Sequence, residues 1–176
     1  MKKTRTLVFI GIFIAMNVVL VRLLSVSTPI VRFDFGFLPI ALAAIMFGPI
    51  AGGITGSMAD IAGMLLFPGG AYFPGFTASG FVAGAVYGLF LYNKQSSIVR
   101  TVLAVICVIT VVDLGLNTLW LTMITGKAIW ALLPLRLIKC AVMLPIEVAL
   151  IHILWKYLLV YIKPGYAEQV QRKINM

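Results

Sequence analysis

The length of its uninterrupted apolar runs constrains this chain more than any other feature. From Leu7 to Leu24 only Arg22 carries a charge, and a helix of that length rises roughly 27 Å, close to the thickness of a bilayer's hydrocarbon core. Comparable runs follow at about 35–53, 54–67, 77–92, 101–125 and 134–161, separated by short polar or Gly/Pro-rich stretches. Hydrophobic residues make up 62% of the 176 and charged ones 11%, against about 45–50% and 25% in soluble domains. A bilayer offers no partner to a bare peptide group, so runs of this length are expected to close their own hydrogen bonds as helices. The expected fold is all-α, an integral membrane six-helix bundle forming one domain over residues 1–176.

Six spans put both termini on one side. If that side is cytoplasmic, it holds Lys2, Lys3, Arg5, Lys94, Arg100, Lys156, Lys163, Arg172 and Lys173, whereas Arg22, Arg32, Lys127, Arg136 and Lys139 fall outside or near the outer surface. The excess of basic residues on the terminal side predicts cytoplasmic termini. A cleavable leader is the alternative for the first span, with Ser25-Val26-Ser27 as a cleavage site, and Arg22 inside the run argues against it. The formal charge of +9 resides at the chain ends and in short loops, not in a stripe, so topology explains it better than nucleic-acid binding does.

Several chemistries lack their residues. Cys107 and Cys140 each lie in an apolar run and are too few for a metal cluster, and His152 is the single histidine. No nucleotide-binding GxxxxGK[ST] loop occurs, since Gly126-Lys127 lacks both the upstream glycine and the following hydroxyl. No cofactor, metal or enzymatic activity is expected, and uphill transport would need another subunit to hydrolyse the nucleotide.

The stretch from Asp60 to Phe76 joins two spans through Phe67-Pro68, Gly69-Gly70 and Phe73-Pro74, which break helices, and its rings Phe67, Tyr72, Phe73 and Phe76 suit either a headgroup belt or stacking on a flat ligand. In the next span Gly80, Gly84 and Gly88 recur every four residues, a ridge allowing close backbone approach. Gly11, Ala15 and Val19 form a similar small-residue face on span one.

Charges near the membrane mark the candidate site. Arg22, Arg136 and Lys139 near outer span ends, with Arg32 before span two, would form a positive mouth for an anionic substrate, although each alone could snorkel to headgroups. Asp113 and Asn117 share a helical face that continues toward Trp120, offering acceptors, donors and a stacking plane to a heterocycle; an interhelical hydrogen bond with Trp120 in a belt is the structural alternative. Asp60 and Glu147 are further intramembrane acids, able to pair across helices or, less economically, to relay protons.

The stretches Arg32-Phe33-Asp34-Phe35-Gly36-Phe37-Leu38-Pro39-Ile40, Leu42 to Pro49, Ala59-Asp60 through Phe73-Pro74-Gly75-Phe76-Thr77, Arg136-Leu137-Ile138-Lys139 and Met143-Leu144-Pro145-Ile146 resemble the substrate-binding S-components of energy-coupling factor vitamin transporters, and most of all their folate-specific members. That resemblance covers nearly the whole chain. It implies a small protein of the bacterial cell membrane that captures a vitamin outside, docks with one transmembrane T-component and two cytoplasmic ATPases, and topples in the membrane to release its ligand inside. Gly11, Ala15 and Val19 correspond to the family's AxxxA face toward the T-component. Folate would then place its glutamate against Arg22, Arg32, Arg136 or Lys139, its pterin edge against Asp113 and Asn117, and its rings on Trp120, Phe67, Tyr72 or Phe73. The alternatives are an S-component for another anionic or aromatic vitamin, a membrane enzyme or accessory protein without transport function, and a stand-alone facilitator.

Overall fold

The computed structural model describes residues 2–27, 32–67, 72–126 and 129–162. Helix α1 (Lys2–Arg22) leads into a two-residue antiparallel pairing of β1 (Val26–Ser27) with β2 (Arg32–Phe33), in which Val26 faces Phe33. Then come α2 (Phe37–Phe47), α3 (Pro49–Leu66), α4 (Pro74–Leu91), a continuous helical rod and α7 (Ile129–Ile162). The rod changes winding along its length, with α5 (Ile98–Cys107), a π-helical segment (Val108–Leu116) and α6 (Asn117–Thr125). Apart from the short strand pair, the described chain is the expected helical bundle.

Five helical stretches are long and apolar enough to cross a membrane, and α2 is the exception. Its 11 residues rise only about 16 Å, roughly half the hydrocarbon thickness. The expected second span over 35–53 is therefore corrected to 37–47, and the third begins at Pro49 instead of 54. Gly48, at φ +96°, makes the corner between α2 and α3, and Pro49 opens α3 at a position needing no backbone donor. Gly52 and Gly53, at the expected boundary between the second and third spans, lie inside α3 and are buried against α4. The short α2 suffices because the chain re-enters the bundle before the helix starts. Asn17, midway along α1, donates from Nδ2 to the Gly36 carbonyl at 2.6 Å, and Phe9 meets Phe47 with ring centroids 6.0 Å apart.

Other helix starts move by up to five residues, about a turn and a half. Helix α4 starts at Pro74 and not at 77, again with proline in the first turn, and α7 starts at Ile129 with Pro134 and Pro145 inside it. The backbone groups these prolines leave unpaired are tolerable where neighbouring helices or polar groups cover them.

The tightest packing is between α3 and α4. A Cβ on Gly84 would collide with the backbone of Gly52, one on Gly56 with Gly80, and one on Gly88 with Pro49. The glycine ridge expected on α4 thus meets a matching ridge on α3. Tyr87, Leu91, Val105, Ile151 and Trp155 form a buried core in the half of the bundle nearer the termini. Toward the other end the helices diverge, leaving space among α1, α3, α4, the rod and α7.

Candidate functional site

That space is a cavity of about 620 Å³, bounded by the halves of the helices farther from the termini and by Tyr72 and Phe73 of the α3–α4 connection. Each helix contributes one face. Helix α7 presents Arg136, Lys139, Met143 and Glu147, which recur at three- and four-residue spacing on one side of a helix. Helix α1 contributes Asn17, Val21 and Arg22, the rod Val108, Asp113, Asn117 and Leu121, and the glycine-lined α3–α4 pair Asp60, Ser79, Ala83 and Tyr87.

The π segment determines how the rod meets α7. Wider winding loosens the local ladder of backbone hydrogen bonds, and the Asp113 carbonyl oxygen accepts from Arg136 Nη1 at 3.0 Å and from Thr118 Oγ1 at 3.2 Å. Arg136 Nη1 also donates to Thr118 Oγ1 at 2.7 Å. The Asp113 carboxylate pairs with Lys139 Nζ at 3.2 Å and accepts from Asn117 Nδ2 at 3.4 Å through the same oxygen, Oδ1. Asp113, Asn117, Arg136 and Lys139 therefore form one network, the interhelical pairing that was the structural alternative for Asp113, with two cations held largely by the rod itself. The Asn117 Oδ1 is buried without a hydrogen-bond partner, so this amide retains an unused acceptor beside the cavity.

Arg22 also lines the cavity, its guanidinium against Gly63 of α3, where a Cβ would come within 3.1 Å of Nε. Asp34 lies nearby, its Oδ1 accepting from the Gly36 backbone N–H at 2.9 Å, which fixes the turn into α2. Arg32 is in β2, and its side chain lies outside the described residues, as do Lys127 and the Pro68–Ala71 stretch containing the Gly69-Gly70 pair.

The aromatic residues divide into two groups. Phe73 packs on Trp120 at 5.5 Å and on Phe76 at 6.2 Å between ring centroids, and Trp120 Nε1 donates to Ser79 Oγ at 3.0 Å. Phe73 and Phe76 line the cavity; Trp120 backs Phe73 from behind instead of lining it. Phe67 is 46% exposed and lies off the cavity wall. Tyr72 is tied down. The Thr77 hydroxyl donates to Asp60 Oδ2 at 2.6 Å, so the Tyr72 hydroxyl, 3.0 Å from Thr77 Oγ1, must itself be the donor in that contact. Asp60, expected to pair with a basic residue across helices or to relay protons, accepts this hydroxyl chain.

Glu147, an expected intramembrane acid, does pair across helices, with a residue that sequence reasoning never singled out. Tyr87 lies about 20 Å of helix below the start of α4, and its hydroxyl donates to Glu147 Oε2 at 3.3 Å. Both residues are buried and both line the cavity. Asn17, a polar residue within apolar span one, also lines the cavity and was an available signal that sequence reasoning did not use. Tyr87 offered none, because a tyrosine in an apolar run reads as core.

A protein-family model described as "ECF transporter, substrate-specific component" matches residues 5–155. The chain belongs to that family. Among its relatives are two proteins named folate transporter FolT. The one from Clostridium novyi is 46% identical over 156 residues, covering 89% of this chain and 91% of the relative, and the one from Leuconostoc mesenteroides subsp. mesenteroides is 30% identical over 157 residues, covering 86% and 84%. A solved structure described as FolT bound with folic acid superposes with a TM-score of 0.84 at 37% identity, covering 88% of this chain and 94% of that one. Another, described as the S component of a bacterial ECF transporter, gives 0.66 at 26% identity and covers 92% and 99%. This substrate-specific component is thus a multi-pass protein of the cell membrane. The face of α1 carrying Gly11, Ala15 and Val19 points away from the cavity. All three residues are exposed, and a Cβ on Gly11 would meet nothing within 4 Å.

Proposed function

We propose that this chain is the folate-binding component of an ECF importer, binding folate from outside the cell and delivering it inward with a transmembrane T-component and two cytoplasmic ATPases. The observation that carries this reading is the 620 Å³ cavity, with cations near its mouth, rings on its wall and Glu147 further along the α7 face, in a chain 46% identical to a protein named folate transporter. Folate combines two carboxylates with two flat ring systems, and such a cavity supplies a complement to each. Arg22, Arg32 and Arg136 are proposed to meet the glutamate carboxylates. Tyr72 and Phe73 would stack on the rings, and the unused acceptor of Asn117 would take a ligand N–H. Lys139, committed to Asp113 at 3.2 Å, would hold the rod in place and add positive potential.

The protein would perform no chemical step itself. The exposed small-residue face at Gly11, Ala15 and Val19 is the proposed contact for the T-component, since small side chains allow a partner helix to approach closely. Cytoplasmic termini, supported by the distribution of basic residues, would place the cavity on the outer side.

The test is tryptophan fluorescence of the purified chain in detergent, titrated with folate and separately with riboflavin, thiamine and biotin. Trp120, against Phe73 of the wall, is the expected reporter. Saturable quenching by folate alone, corrected for ligand absorbance, supports the proposal. Saturation by a different vitamin would leave the family in place and remove folate.

A further inference from the structure

Two acids, Asp113 and Glu147, line the cavity along the α7 stripe, and only one is already neutralised. Asp113 has the Lys139 ammonium at 3.2 Å and the Asn117 amide at 3.4 Å. Glu147 has the Tyr87 hydroxyl on Oε2 at 3.3 Å; among the described residues no cation lies within salt-bridge distance of it, and Oε1 has no hydrogen-bond donor. Glu147 is 5% exposed and lines the cavity. A buried carboxylate is costly unless donors satisfy it, so this one is matched to a ligand that brings donors.

The α7 stripe sets a direction. Arg136 and Glu147 share a face with Met143 between them, and eleven residues of helix separate them by about 16 Å. Cations therefore lie toward the mouth, apolar surface in the middle and an acceptor at the floor. We propose that Glu147, oriented by Tyr87, is the specificity-determining acceptor for a flat heterocycle edge carrying adjacent ring N–H and amino donors, so that the ligand enters heterocycle first and leaves its carboxylates at the mouth. This rests on the folate reading, in which that edge is the pterin N3–H with its 2-amino group. It assigns the edge to Glu147 in place of Asp113.

The test compares folate with its 2-deamino analogue, in which hydrogen replaces the 2-amino group, by equilibrium binding to the parent chain and to Glu147→Gln, with thermal melting as the check on folding. The parent should bind folate saturably and the analogue about tenfold or more weaker, the usual consequence of leaving a buried acceptor without its donor. Glu147→Gln should weaken folate by a similar factor and the analogue much less, so that discrimination collapses. Tyr87→Phe should lie between the two. Equal binding of both ligands by the parent, or full discrimination retained by Glu147→Gln, would overturn the assignment alone. If the Gln variant does not fold, the parent comparison decides by itself. A parent that fails to bind folate would overturn the functional reading and this inference with it.

Discussion

Replacing Lys139 with methionine would separate scaffold from ligand contact in the cation cluster. The Asp113–Lys139 side chains are 17% and 20% exposed and 3.2 Å apart. Deleting one member of a buried pair typically costs 3–5 kcal/mol because the remaining charge is left unmatched. The portion of each side chain open to cavity water reduces that to about 2–3 kcal/mol here. For a domain of this size the loss corresponds to a fall in Tm of roughly 5–10 °C, readable by thermal melting in detergent without ligand. Asp113→Asn combined with Lys139→Met removes the stranded charge while keeping an amide beside Asn117 and the backbone carbonyl that Arg136 and Thr118 share. The double variant should regain most of the lost stability and bind folate more tightly than Lys139→Met alone. A double variant no more stable than the single one would refute the claim that this pair holds the rod to α7.

Three further outcomes follow from the packing. Gly84→Ala drives a Cβ into the Gly52 backbone and should destabilise by about 2 kcal/mol or more, as overpacking does, seen as a lower melting temperature with or without folate. Trp120→Phe removes the hydrogen bond to Ser79 and the proposed reporter; folate quenching should largely vanish while affinity measured by calorimetry falls less than about tenfold. Gly11→Leu adds bulk where nothing lies within 4 Å, and should leave folate binding unchanged in the isolated chain while abolishing uptake by the assembled transporter in vesicles.

Most of the bundle was legible because lipid imposes a simple rule, long apolar runs forming helices. The errors occurred where glycine has two meanings. Gly52-Gly53 resembles a turn in sequence, yet both residues lie inside α3 because α4 packs too close for a side chain; the actual corner is the single Gly48. The Asp113–Asn117 face and its neighbouring cations were legible because polar residues in apolar runs are conspicuous, but their pairing depends on the π segment, which no spacing announces. Trp120 reads equally as belt or platform, and only its bond to Ser79 and contact with Phe73 place it behind the wall. Phe67, three residues past Met64, the last α3 residue to line the cavity, turns outward with Leu65 and Leu66. Glu147 and Tyr87, on separate helices, come together only in three dimensions.

The central claim is that folate occupies this cavity, and the most direct measurement is isothermal titration calorimetry of folate into the purified chain and into a folded Ala83→Trp variant, whose indole would fill the space beside the wall. The account predicts a saturable one-to-one isotherm for the parent and its loss in the filled variant. No saturable heat from the parent, or an isotherm unchanged by filling the cavity, would contradict it.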